Sequence, residues 1–458
     1  MRDSEDAAPD SRRVPLPELS VGAWVVLLSF LTILGADLLW VVAMGDIVRE
    51  TAAVPDGIPF ASAPQVEWHN PIVVAQVLLS LVHAAGPLGL AAFHLLVVAL
   101  TLTVVVVEAR RMGGGDVRTA VVVALVVVGC SAPFVVTRLP DLSLVPFVVA
   151  LAVMRRRHEL PGRSVWWLVP LYALWGNLHG GVLVGMAVLG VFLLLSRGAG
   201  RLAERVALGV AATISLLLTS AGLGTPAYYV GVLTNEAAAR KSDLWAAPNL
   251  THPLDLAMIL AALLLLAMSA RRGMPRWEWA VTAGIVVGTV VAARNGVWLL
   301  LFLAPAAAAV RGRGRDELRA PAERPGWWVP VVAFGVVVTV VATGMSLNRR
   351  ADAVAPPGAV VVETVRTVAA GRPVLADEPL AETLAQAGIT VWAANPIDAF
   401  PRSVQAVFLD FLDDGRVPPG VDVDVVVLAE DHSEEVLASG GWAETVRESG
   451  YAVRTRSP

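Results

Sequence analysis

Few residues of this chain can do acid, base or phosphate chemistry, and those that can lie at the ends of long apolar runs or between them. Asp37 stands in Gly35-Ala36-Asp37-Leu38-Leu39-Trp40, with Asp46 and Glu50 after it. A carboxylate so placed can accept or orient the proton of a nucleophile. If one helix carried both Asp37 and Asp46, they would stand about 13.5 Å apart along its axis, too far to share one substrate atom. One central carboxylate is therefore expected, Asp37 before Asp46. His179 lies in Trp175-Gly176-Asn177-Leu178-His179-Gly180-Gly181. Glycines there allow close backbone approach, and Asn177 and His179 can hydrogen-bond a polar ligand or simply cap a turn. Arg138, Arg240, Lys241 and Arg294 are the other polar candidates. They suit an anionic headgroup, which guanidinium holds through paired hydrogen bonds, or serve as interfacial anchors. His94, alone in an apolar run, is expected to be a packing residue, and no H-E-x-x-H or G-x-S-x-G pattern occurs.

The elements that must carry these residues are membrane helices. The chain is 56% hydrophobic and 16% charged, with mean hydropathy +0.66, whereas about 25% charged is usual for soluble domains. The net charge of −4 and the dispersed arginines give no basic patch, so no nucleic-acid role is assigned. Cys130 is the only cysteine, which excludes an intramolecular disulfide and Cys-ligated clusters. One carboxylate with help from Asp46 is too few ligands to argue for a divalent cation, and no cofactor is expected.

Eleven spans are expected, near 22–44, 88–107, 117–136, 141–154, 165–177, 180–196, 206–222, 253–270, 277–293, 296–310 and 327–346. The first is taken as retained, after a polar tail over residues 1–20, because its apolar run is too long for a signal peptide. One set of intervening loops holds 21 arginines, including Arg110, Arg111, Arg155 to Arg157, Arg271 and Arg272; the other holds only Arg49, Arg138, Arg240, Lys241 and Arg294. The positive-inside rule puts the first set and the N-terminus in the cytoplasm and the candidate residues outside. Two outside segments are long. Asp46 to Asn70 carries three prolines and runs into an apolar stretch, Pro71 to Ala85, expected as an interfacial or re-entrant helix; Thr225 to His252 carries the only lysine.

After Leu347 short apolar runs (374–376, 390–392, 424–429, 451–453) alternate with helix-like segments (360–370, 380–387, 403–412, 434–438). The expectation is an extracytoplasmic α/β domain, residues 347–458, with a largely parallel sheet and no nucleotide motif.

Asp37-Leu38-Leu39-Trp40, followed by a Pro-rich loop ending Glu67-Trp68-His69-Asn70-Pro71, resembles the first outside loop of bacterial GT-C membrane glycosyltransferases, in the branch of the dolichyl-phosphate-mannose and aminoarabinose transferases. The Trp-Gly-Asn-Leu-His-Gly-Gly element, Arg294-Asn295 and the stretch from Asp243-Leu244-Trp245 to His252-Pro253 resemble elements of members with the same layout. Val41 replaces the histidine of the related Asp-x-Trp-Trp-His pattern, and Ile72-Val73-Val74 stands where Glu-Trp-Leu is common. The resemblance implies a polytopic GT-C-like fold over about residues 21–346 and transfer from a polyprenyl-phosphate sugar to an envelope acceptor at the outer face of the inner membrane. It further implies Asp37 as catalytic carboxylate, His69 and Asn70 at the donor loop and Arg294 at the phosphate. A non-catalytic envelope binding or assembly protein is the alternative, and should show an apolar patch on residues 350–458; a transporter fits less well, for want of repeats and midplane charges.

Overall fold

The computed structural model describes residues 15–160, 162–242, 245–309, 328–430, 441–448 and 450–456. The tail before residue 15, Asp243-Leu244, the Arg311 to Arg324 loop and the helix expected at 434–438 lie outside the described residues.

The described chain is largely helical. The helices are α1 (Leu16–Ser29), α2 (Leu39–Thr51), α3 (Val73–His83), α4 (Gly86–Arg111), α5 (Asp116–Gly129), α6 (Ser131–Val135), α7 (Leu144–Glu159), α8 (Leu168–Gly176), α9 (Val182–Leu195) and α10 (Leu202–Ser215). They continue as α11 (Thr225–Thr234), α12 (Glu236–Arg240), α13 (Pro253–Arg272), α14 (Arg276–Val291), α15 (Gly296–Ala308), α16 (Trp328–Arg349) and α17 (Ala351–Val354). Each of the expected spans finds a helix. Among the described residues α4, α13 and α16 are individually long and apolar enough to cross a bilayer, while α1, α3, α9 and α15 are shorter apolar helices. α3 has 11 residues, about 16 Å of helix against roughly 30 Å of hydrocarbon, so it fits the expected non-spanning segment.

Packing explains the layers. All of α15 is buried, and it packs against α13, α5, α4 and α14. α16 leans on α1 and leaves Val329, Phe334, Val336, Val337, Val340 and Val341 exposed. In water such a face would be a liability; against acyl chains it is the expected surface.

The arginine-rich helix ends form a paired network. Arg110 bridges Glu18 and Asp116, Arg111 bridges Glu108 and Glu159, Arg155 bonds Glu278 and the Phe302 carbonyl, and Arg157 holds Glu204. The planar guanidinium suits such double partnering where water is scarce.

Two expectations are corrected. The first span is not one helix through residue 44: α1 stops at Ser29, and β1 (Ile33–Leu34) and a 3-10 turn at Ala36–Leu38 precede α2. β1 pairs in parallel with β2 (Val136–Thr137), so backbone groups that would have continued the helix enter a ladder instead. The C-terminal sheet is mixed rather than largely parallel. Its strands are β3 (Val374–Ala376), β4 (Val425–Ala429), β5 (Trp442–Glu448) and β6 (Tyr451–Arg456), in the order β3-β4-β6-β5. Only β3 and β4 are parallel, because β5 and β6 form a hairpin across β4's other side. The run at 390–392 contributes bridges through Val391 rather than a strand. Helices α18 (Val362–Ala369), α19 (Leu380–Gln386) and α20 (Arg402–Asp414) complete this region.

The C-terminal region is stapled to the loop between α2 and α3. The Ser62 and Ala63 amides donate to the Val391 and Trp392 carbonyls, Val391 donates to Phe60, and Val66 donates to Ala399. Loop residues 60–63 thus extend the edge beside β3.

Candidate functional site

The β1–β2 pair positions the site. Gly35 donates to the Thr137 carbonyl at 2.9 Å, which sets the turn carrying Asp37 beside the one carrying Arg138. Arg138 Nε donates to Asp37 Oδ1 at 3.0 Å. Both side chains keep some exposure, 27% for Arg138 and 21% for Asp37, so a ligand can reach the pair. The Arg138 turn is itself held: its amide donates to Asp141 Oδ2, and the same oxygen lies 2.7 Å from His94 Nδ1. His94 Nε2 faces the Phe134 carbonyl at 3.0 Å and must donate to it. His94 is therefore the satisfied buried residue expected, and through Asp141 it fixes the arginine's turn.

A second cation lies nearby. Arg294 stacks on Trp245, its guanidinium carbon 3.5 Å from the ring centroid. Burial and the charge of Arg138 push its pKa down to about 10. His179 Nδ1 accepts from Ser143 Oγ at 2.9 Å and from the Gly181 amide at 3.0 Å, and Trp175 Nε1 donates to the same serine at 2.7 Å. An imidazole that accepts at Nδ1 carries its proton on Nε2. Burial and Arg294 hold the ring's pKa down to about 4, so His179 is a neutral hydrogen-bond donor near the Arg294 guanidinium.

Other sequence candidates go elsewhere. Asp46 accepts from Ser80 Oγ at 2.5 Å and lies 3.8 Å from Arg49, which ties α2 to α3 rather than joining Asp37. Gly45, one residue before it, packs directly on the Gln76 carbonyl, a closeness that a side chain would forbid. Asn70 exchanges two side-chain hydrogen bonds with Gln76. Asn177 spends both amide protons, on the Ala173 and Leu218 carbonyls. Arg240 bonds Glu236 and, across to α20, Asp410; Lys241 is an exposed helix cap with φ of 54°. His69 packs its ring on Gly224. These residues shape loops and dock the C-terminal region.

Sequence reasoning missed what that region brings. Glu382 on α19 is wholly buried, accepts from Asn395 Nδ2 at 2.7 Å, and lies within electrostatic reach of Asp37 and Arg138. Asn395 also donates to Glu378 at 3.0 Å. An acid in an otherwise apolar helix face, Leu380-Ala381-Glu382-Thr383-Leu384-Ala385, was the available signal.

Asp398 makes a further bridge, accepting from Trp68 Nε1 at 2.9 Å. Burial raises its pKa to about 6 from 3.8. Below the unfolded value both states are protonated; as pH rises toward 6 the unfolded chain loses its proton first, so stability falls and then levels. Asp398→Asn, which can still accept from Trp68, is expected to raise the unfolding midpoint at pH 8 by the equivalent of up to about 3 kcal/mol and to change it little at pH 3.5. Thermal unfolding of both forms at the two pH values checks this.

No family model matches the chain, and no curated protein matches it. Solved structures do. Arabinofuranosyltransferase AftD from Mycobacteria is 14% identical with a TM-score of 0.51 over 96% of this chain, which spans only 41% of AftD. ArnT from Cupriavidus metallidurans, solved bound to undecaprenyl phosphate, is 16% identical with a TM-score of 0.50, covering 95% of this chain and 96% of that one. The chain thus has the overall fold of these two proteins, a largely helical fold with apolar helices long enough to cross a membrane and a small C-terminal sheet region.

Proposed function

We propose that the chain is a membrane glycosyltransferase that moves a sugar from a polyprenyl-phosphate donor to an envelope acceptor at the extracytoplasmic face of the inner membrane, its N-terminus cytoplasmic. One observation carries the reading: a reachable carboxylate, Asp37, paired with Arg138 and set near Arg294 and a neutral His179, on a frame shared with a polyprenyl-phosphate-bound protein. In the reaction the acceptor oxygen attacks the anomeric carbon as that carbon's bond to the phosphate oxygen breaks. The lipid phosphate leaves with the bonding electrons, and Asp37 takes the acceptor's proton. Arg294 and the Nε2–H of His179 supply fixed positive potential and a donor for the leaving phosphate. Arg138 orients Asp37. The arginine bias of the loops supports the orientation.

The alternative of a partner-docking protein gains nothing from the C-terminal region: Val360 is the large hydrophobic residue standing exposed there among the described residues, too little for a docking patch.

The test is release of polyprenyl phosphate by purified chain from a panel of polyprenyl-phosphate sugars, with envelope fractions as acceptor. Arg294→Ala should raise the donor KM about 10- to 100-fold, the worth of one charge-assisted hydrogen bond, with kcat changed much less. Release from no donor would overturn the reading.

A further inference from the structure

Trp245 holds a charge without neutralising it. Arg294 stacks on its indole, the guanidinium carbon 3.5 Å from the ring centroid. The charged group acting on Arg294 is Arg138, a like charge, and among the described residues no carboxylate pairs with Arg294 and no hydrogen bond is spent by its guanidinium. Repulsion between two arginines would swing a free side chain away into water, and a carboxylate partner would consume its N–H groups. A π face does neither: it attracts the cation through the flat of the guanidinium and leaves the in-plane N–H edges open. Arg294 is crowded enough to feel desolvation, yet it keeps exposed surface, so a ligand can reach those edges. The half-buried Trp245 sits on a segment fixed at both sides. Upstream, the Glu236 amide of α12 donates to Gln405 Oε1 at 2.8 Å and Arg240 donates to Asp410 at 2.7 Å, both on α20. Downstream, the Asn249 amide donates to Asp255 Oδ2 at 2.7 Å, at the start of α13. The Ala246 carbonyl, next to Trp245, accepts from the Ala293 amide at 2.9 Å, which lays the two turns side by side and sets the ring against Arg294.

We infer that Trp245 is the positioning residue of the phosphate site: its ring fixes Arg294 so that the guanidinium edges face the lipid phosphate of the donor. The inference rests on the transfer reading, in which Arg294 meets the leaving phosphate, and adds the loop before α13 to the site. An arginine ordinarily gives up the freedom of a long side chain on binding, and a guanidinium already held in place loses less. Trp245 should therefore act on phosphate affinity, through Arg294, and on nothing in the chemical step.

The experiment is a double-mutant cycle on the full-length chain in detergent, read by binding of undecaprenyl phosphate and by donor KM and kcat. Trp245→Leu should weaken undecaprenyl phosphate binding about 5- to 30-fold, within the range of a cation–π contact. Donor KM should rise by a similar factor, with kcat within about threefold of wild type. Trp245→Phe, which keeps a π face, should stay within about threefold of wild type in both. Trp245→Gln, planar but without a π face, should match Trp245→Leu, and it carries the test if leucine disturbs folding. In the Arg294→Ala background either replacement should change binding less than about twofold, because the residue it acts through is gone. Wild-type affinity in Trp245→Leu and Trp245→Gln, or losses that add in full to that of Arg294→Ala, overturns the inference and leaves the transfer reading intact. Absence of undecaprenyl phosphate binding by wild type overturns it as well. Coupled losses in binding with no donor turned over uphold the positioning role and count against the transfer reading alone.

Discussion

Replacement of Asp37 by asparagine is expected to cut sugar transfer by at least 100-fold while leaving expression and thermal stability close to wild type. Asparagine is nearly isosteric, and its side-chain oxygen can still accept from Arg138 Nε, the contact that holds Asp37 at 3.0 Å. What it loses is the capacity to take a proton, which in positioned acid–base catalysis is worth about 10²- to 10⁴-fold. The loss should fall on kcat, with donor KM little changed, because the phosphate-binding role is the one proposed for Arg294 and His179. Asp46→Asn is the informative contrast. Asp46 is engaged with Ser80 and Arg49 on the α2–α3 contact, so its replacement should cost less than tenfold in turnover. Initial rates of polyprenyl-phosphate release for both variants decide the matter; an Asp37→Asn form at full speed would remove Asp37 from the centre of the site.

Much of the frame was legible because hydropathy is a local property. Every expected span found a helix, and the strands at 374–376 and 425–429 fell within or on the expected runs. The site was only half legible. Asp37, Arg138, His179 and Arg294 stand out in sequence as polar residues where apolar ones dominate, and the structure brings them near one another. Their order of importance depended on facts that no spacing carries. Asn70, Asn177 and Arg240 look like ligand groups in sequence, yet their hydrogen bonds are spent on Gln76, on backbone carbonyls and on Asp410. Glu382 lies some 345 positions from Asp37 in the chain, and only the docking of α19 on α2 makes them neighbours. The break after Ser29 escaped notice for a related reason: Ile33 and Leu34 are as apolar as the helix before them, and their strand exists only because Val136 and Thr137 lie alongside.

That two-residue ladder makes Gly35 a sharper handle on the site than its distance from the chemistry suggests. Its backbone, at φ −82° and ψ 153°, is open to any residue, so the constraint is space rather than torsion. A methyl on Gly35 would meet the Thr137 carbonyl oxygen at 2.7 Å, the Arg138 Cγ at 2.9 Å and the Val136 Cγ1 at 3.0 Å. The carbonyl cannot retreat without breaking the Gly35 hydrogen bond, and the arginine stem cannot retreat without leaving Asp37. Gly35→Ala should therefore separate the two turns by a fraction of an ångström to one ångström, and misplacement on that scale costs about 100-fold in rate. The fold itself should survive, since the overpacking is confined to one contact and costs about 1–3 kcal/mol. Gly190→Ala on α9, where the new methyl meets nothing within 4 Å, should leave turnover unchanged and controls for a general effect of filling glycines. Reduced turnover in Gly35→Ala with an unfolding midpoint only slightly lowered would show that the β1–β2 pair serves to register Asp37 against Arg138. Equal turnover in both variants would mean that the pair serves only to end the first helix.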